Sequence, residues 1–240
     1  MSLAPQQALA SPVENTVVGP GDSVLVLPEA GQVRVGAGLH ADGGHLRTTR
    51  PGILRRTKAG KLWVQGRQIR YIPAAGDAVV GTVVERHSDA YNVDLGGPFA
   101  AVLPALAFEG ATRRNRPNLT PGDLVYARVT AASRDADPEI TCTDASGKGA
   151  GFGPLQEGLV LTCSSALVRQ LLASPPPPVV AALGAALAFE LAVGQNGRVW
   201  VGNADSSTVV LVANALANSE RLSPGQAHLM VKKLLASVQA

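Results

Sequence analysis

The chain has 240 residues, of which 46% are apolar, 16% charged and 4% aromatic, with a formal net charge of +3. So much apolar material and so little charge exclude an intrinsically disordered chain and a coiled coil as the main architecture, and leave one to three small folded domains. The longest apolar stretch, Val179 to Phe189, is closed by Glu190 well short of the roughly 20 residues that span a bilayer, so no membrane partner is expected.

The first residues carry no basic, apolar or Arg-rich targeting pattern, which reads as a cytosolic or nuclear protein. Cys142 and Cys163 stand alone among small and apolar neighbours, and both read as reduced, buried thiols.

In chain order, a Gly-Asp turn before a β-branched run occurs three times: Pro20-Gly21-Asp22, Ala75-Gly76-Asp77 and Pro121-Gly122-Asp123. Each punctuates a loop and opens a strand. The first is followed by strand-like runs at 23–27, 32–36 and 61–71, a small β domain over residues 1–71, with 1–16 expected to be flexible. This part has 9 Lys/Arg against 4 Asp/Glu, and from Arg47 to Arg70 no acidic residue interrupts the cations. Within that strip Arg55, Arg56, Lys58 and Lys61 are candidates for contact with protein or RNA, since such a surface attracts polyanions or acidic partners.

Residues 72–146 read as five strands, at 78–84, 90–95, 99–103, 123–130 and 139–143, with one long loop between the third and fourth. That count and order describe an OB-fold barrel, which binds single-stranded nucleic acid by stacking and backbone charge. Gly81 inside the first strand would permit the bend that closure needs.

From 147 to 154 the sequence is Gly-rich and reads as a linker. Beyond it, over 147–240, a serine-capped helix is predicted at 164–172 with Leu167, Leu171 and Leu172 on its apolar face. Four prolines end it. A helix at 179–187, strands at 189–193 and 198–201, and helices at 206–218 and 224–238 complete an α+β domain.

Three segments agree in order and spacing with one family. The loop Phe108-Glu-Gly-Ala-Thr-Arg-Arg-Asn-Arg-Pro-Asn118, the run Gly122-Asp-Leu-Val-Tyr126 and the hairpin Gly194-Gln-Asn-Gly-Arg-Val-Trp-Val201 together resemble the S1/KH-type RNA-binding cap subunits of the RNA exosome. The resemblance runs from about Val17 onward. It implies a multidomain β plus α+β chain: an N-terminal β domain that docks on a ring of RNase PH-like subunits, a five-stranded S1-type barrel facing a central pore, and a KH-like domain outside. It also implies a non-catalytic role in passing single-stranded RNA to a nuclease elsewhere, beside other cap subunits, in nucleus, nucleolus and cytoplasm.

Candidate RNA contacts on the barrel are Arg113, Arg114, Asn115 and Arg116, whose planar, permanently charged groups suit phosphate oxygens. Arg86 joins them, and Tyr91 and Phe99 are candidates for base stacking. An ordinary KH domain clamps nucleotides with a Gly-x-x-Gly loop between two helices. Here Gly194-Gln195-Asn196-Gly197 lies between two strands, and Gly194, Asn196 and Gly197 read as a structural turn of type I′, packed on a neighbouring domain.

Enzyme-like patterns fail. Asp135, Asp137 and Glu139 lie in a proline-containing loop without a histidine, His40 and His45 flank a turn, and Gly147-Lys148-Gly149 lacks the spacing of a phosphate loop. No metal, cofactor or catalytic group is expected. Two other readings stay open: a free single-strand RNA-binding protein, and a fragment of a phosphorolytic exoribonuclease, whose KH module however precedes its S1 module.

Overall fold

The computed structural model describes residues 14–28, 32–67, 70–133, 136–203 and 205–238. The chain divides into two compact units, one ending at Arg67 and the other beginning at Gln68. Most of residues 1–16, and Asp135 of the acidic loop, fall outside the described residues.

The first unit holds two three-stranded antiparallel sheets. In one, β1 (Val17–Val18), β5 (Gly52–Arg56) and β6 (Leu62–Gln65) pair in that order; in the other, β2 (Ser23–Val26) pairs with β4 (His45–Thr48), which pairs with β3 (Leu39–Asp42). Their inner faces meet in a core of Val18, Val24, Leu39, Leu46, Leu54, Leu62 and Val64. Two strand expectations fail here. Residues 32–36 make only one isolated bridge, Val35 to Leu62, and the strand placed over 61–71 stops at Gln65. His40 and His45 do flank a turn, the Gly43-Gly44 connection of the β3–β4 hairpin, where both glycines have positive φ.

In the second unit, β7 (Ala78–Arg86), β8 (Ala90–Asp94), β9 (Ala101–Pro104), β10 (Leu124–Ala131) and β11 (Glu139–Thr141) form a sheet that closes because β11 pairs with both β9 and β10. Val79, Val83, Val93, Leu103, Val125, Val129 and Ile140 fill its interior. Gly81 is required by space: a Cβ there would stand 2.3 Å from Val93 Cγ1 and 2.9 Å from Leu95 Cδ2. The register break that accompanies closure falls later, between Val83 and Glu85. The predicted linker is not wholly a linker either. Within it begins β12 (Gly153–Leu155), an extra edge strand on β10.

The remainder runs β13 (Gly158–Thr162), α1 (Ser165–Leu171), α2 (Pro178–Ala186), β14 (Glu190–Val193), β15 (Arg198–Gly202), α3 (Ser206–Ser219) and α4 (Pro224–Val238). Ser164 caps α1 by accepting from Leu167 N, and Asp205 caps α3 by accepting from Ser207 N and Thr208 N. Leu167 and Leu171 are buried, whereas Leu172, placed on the same face by sequence, is largely exposed. Cys142 is buried and burial pushes its thiol up to about 12, but Cys163 is only partly covered, not fully buried as predicted.

The strand order β13-β15-β14 makes β15 central, and its residues alternate between two different partners. Val199 and Val201 face the helices with Leu167, Leu183, Val212 and Leu216. Trp200, between them, packs with Ala192 and Val80, and Val80 belongs to the barrel. Both faces of this small sheet are thus covered, which explains why β15 is buried without interruption.

Candidate nucleic-acid interface and the barrel–KH junction

The 105–123 loop between β9 and β10 is a built structure. Thr112 N donates to Asn115 O at 2.9 Å, and Asn115 N donates back to Thr112 O at 3.1 Å, so a tight four-residue turn carries Arg113 and Arg114 at its exposed tip. Arg116 does a different job from the one expected. Its Nη1 donates to Ser88 O at 2.5 Å and lies 3.8 Å from Asp89 Oδ1, tying the loop to the β7–β8 turn. Arg86 ends β7 in the open at that same end of the barrel.

Tyr91 is not a stacking platform. At 2% exposure it is part of the barrel core, and its hydroxyl donates to Pro117 O at 2.6 Å, so it holds the base of the arginine loop from inside. Phe99 is 53% exposed but lies before β9, beyond the C-terminal end of β8. The arginine loop is tied to the turn at the N-terminal end of β8; at about 3.3 Å per residue the strand itself separates the two ends by roughly 13 Å. The structure therefore gathers Arg86, Arg113, Arg114 and Asn115 at one end of the barrel, with Arg116 as their anchor, and leaves Phe99 elsewhere.

In the first unit, Arg55 donates its Nε to Gln65 Oε1 at 2.8 Å and its Nη1 to Asn15 Oδ1. Arg56, Lys58 and Lys61 are exposed at the β5–β6 hairpin, whose turn is closed by Gly60 N to Thr57 O and Lys61 N to Thr57 Oγ1. Arg47 pairs with Asp42 at 3.2 Å and Arg50 donates to Val64 O, so the continuous basic strip of the sequence divides into structural and exposed members.

The Gly194–Gly197 segment turns the chain from β14 to β15, with Gly197 N donating to Gly194 O at 3.1 Å. It is not type I′. That turn needs positive φ at both central residues, and only Gly197, at 83°, has it; the form is a type I turn followed by a left-handed glycine.

Its tip seats on the barrel. The β7–β8 pairing ends at Thr82–Asp94, leaving the β8-side edge of β7 open at Ala78–Val80. The turn fills that edge: Gln195 N donates to Ala78 O at 2.7 Å, Val80 N donates to Asn196 Oδ1 at 3.2 Å, and Asn196 Nδ2 donates to Val80 O at 2.8 Å and Leu95 O at 3.0 Å. One carboxamide thus stands in for a missing strand residue. Gly194 allows this approach, since a Cβ on it would lie 2.7 Å from Val80 N.

Arg198 completes the junction, donating Nη1 to Asp94 O at 2.6 Å and Nη2 to Asp94 Oδ2 at 2.5 Å. Sequence reading missed Asp94, Arg198, Val80 and Trp200 as a set. The available signal was Val79-Val80-Gly81, an apolar run with no polar outer position, which marks a barrel strand covered on both sides.

Burial raises the Asp94 carboxyl, but the hydrogen bonds from Arg198 and Gly96 and the Arg198 charge outweigh it and hold the group below the usual carboxylate range. A depressed folded value gives stability that is complete above the ordinary aspartate pKa of about 4 and is lost as pH falls through the folded one. Asp94→Asn is therefore expected to remove part of the acid-side loss of stability in denaturation curves between neutral pH and pH 3. An unchanged acid limb would count against this coupling.

A closed five-stranded barrel locked to a three-stranded, helix-backed sheet by the turn between its strands defines the chain as an S1–KH protein. Residues 71–153 match the family model for the exosome complex component RRP40 S1 domain, and residues 158–207 match a KH domain. The chain belongs to the RRP40 family of exosome complex components. It is 40% identical to exosome complex component rrp40 of Schizosaccharomyces pombe over 211 residues, covering 85% of this chain and 88% of that one. With the human exosome complex component RRP40 it shares 35% identity over 247 residues, covering 97% and 90% respectively. A solved structure described as an exosome complex RNA-binding protein superposes with a TM-score of 0.57 at 20% identity, over 71% of this chain and 99% of its own, a likeness of fold.

Proposed function

We propose that the chain is a non-catalytic, RNA-binding cap subunit of an exosome, docked on a ring of RNase PH-like subunits beside other cap subunits. It guides single-stranded RNA toward a nuclease site carried by another subunit, in nucleus, nucleolus and cytoplasm. The observation that carries the RNA-path reading is the exposed Arg113–Arg114 turn, anchored by Arg116 on the β7–β8 turn and by Tyr91 from the core. Preorganised guanidinium groups bind phosphate without first being immobilised.

Kinship with exosome components of fungi and animals supports the assembly. The exposed Arg56, Lys58 and Lys61 hairpin is the first unit's candidate contact, with protein or RNA. Residues 72–146 carry 6 Lys/Arg against 10 Asp/Glu, so affinity for RNA rests on a few local cations and is weak and salt-sensitive.

In the assembled complex, Arg113→Ala with Arg114→Ala is expected to lower crosslinking to a 4-thiouridine RNA several-fold. The slope of log affinity against log salt should fall by about two, one per lost phosphate contact. Melting should not change, and the purified chain should leave the oligonucleotide intact. Full crosslinking by the double variant would remove this turn from the RNA path.

A further inference from the structure

At the end of the KH-like sheet where β13 and β14 begin and β15 finishes, an open cavity of about 450 Å³ is lined by Gln156, Glu157, Phe189, Glu190, Trp200 and Asn203, among others. It lies away from the arginine loop, and the function proposed above does not use it.

Three features of this place point the same way. Its charged lining residues are both acidic, Glu157 and Glu190, and both are exposed. Its wall includes Trp200, only 4% exposed, whose Nε1–H is a buried donor with no acceptor among the described residues. The cavity also adjoins a free strand edge: β13 is the outer strand of its sheet, pairs only with β15, and begins at Gly158 directly after Glu157.

That edge has none of the usual guards. Its five residues, Gly-Leu-Val-Leu-Thr, include no charge and no proline, and Leu159 is 41% exposed. An unguarded edge pairs readily with another extended chain. Two carboxylates beside an indole favour a cation, and a guanidinium suits both the carboxylates and the ring. An RNA strand is disfavoured by the same two charges. A small amine would answer the carboxylates but leave the strand edge and the indole donor unmet, whereas a polypeptide brings carbonyl oxygens as well.

We infer that this margin of the KH-like sheet is a docking site for an extended, arginine-bearing segment of a partner protein, added as a fourth strand beside β13 with its guanidinium held between Glu157 and Glu190 against Trp200. The site needs nothing from the RNA-path reading and stands or falls separately.

The test uses the full chain and a fluorescein-labelled peptide, acetyl-Thr-Val-Arg-Val-Arg-Val-Thr-amide, followed by anisotropy. The indole N–H resonance of Trp200 is assigned in a Trp63→Phe background. Expected are saturable binding that moves that resonance, and at least tenfold weaker binding when Glu157→Gln and Glu190→Gln are combined. Citrulline in place of the arginines should weaken it equally, methylation of alternate peptide amides should abolish it, and an oligouridine should not compete. Glutamine variants that bind within twofold of the parent would overturn the proposal. A static indole resonance, retained affinity of the methylated peptide, or displacement by oligouridine would each do the same, the last assigning the cavity to RNA. Both glutamates are exposed, so their replacement leaves the fold intact.

Discussion

Asn196→Ala is expected to lower the unfolding free energy of the second unit by about 2–4 kcal/mol, because the substitution strips partners from both Val80 backbone groups and from Leu95 O at the junction. Nothing in alanine can replace a carboxamide that donates and accepts at once, and Val80 is fully buried, so water does not compensate easily. Gln195→Ala is the matched control. Its side chain is exposed and its contribution to the junction is its backbone N–H, which alanine keeps, so a cost within about 0.5 kcal/mol is expected. Urea denaturation followed by tryptophan fluorescence, in a Trp63→Phe background, measures both. A turn whose purpose was to grip nucleotides would give the reverse: stability kept in Asn196→Ala and RNA binding lost.

Trp200→Ala carries the other large effect, about 3–5 kcal/mol, the usual cost of deleting a buried aromatic. The indole lies across two glycines, so closely that a Cβ on Gly202 would stand 2.1 Å from its six-membered ring and one on Gly158 would stand 2.4 Å from Nε1. On its barrel side it meets Val80, with Leu124, Tyr126 and Leu155 close by. Removing it takes away the main apolar contact between barrel and sheet, so the single unfolding transition should split as the two halves lose their coupling. Trp200→Phe discriminates packing from hydrogen bonding. The indole N–H has no acceptor among the described residues, so phenylalanine forfeits no bond and should cost about 1–2 kcal/mol through the smaller ring. A phenylalanine variant as unstable as the alanine one would mean that an unseen acceptor matters more than the packing.

Much of the second unit could be read directly from residue order. The five barrel strands lie where alternating β-branched residues put them, and Ser164 caps α1 as its side chain predicts. The hairpin β3–β4 escaped because Leu-His-Ala-Asp and His-Leu-Arg-Thr hold too few β-branched residues to signal a strand; their pairing depends on burying Leu39 and Leu46. The same override made β12 out of a glycine-rich stretch, where the open side of β10 recruits whatever backbone passes.

At the candidate site, residue type revealed charge but not employment. Arg113, Arg114 and Arg116 look alike in one dimension, and only the fold shows that the third is occupied by Ser88 O. Tyr91 likewise occupies an inward position of an alternating strand, where its hydroxyl has one reachable carbonyl, and that burial rule overrides any stacking role. The Asn-Gly pair announced a turn, but its type was decided by the need to push a carboxamide into β7.

The 116 residues between Val80 and Asn196 also have a consequence for biosynthesis. On the ribosome the barrel emerges first, with the seam at Ala78–Val80 unsealed until the far turn has been translated. Until then nascent chains on neighbouring ribosomes can cross-pair along that seam. A translational pause placed shortly before Gly194 would prolong the danger, and a holdase that shields Val80 would shorten it.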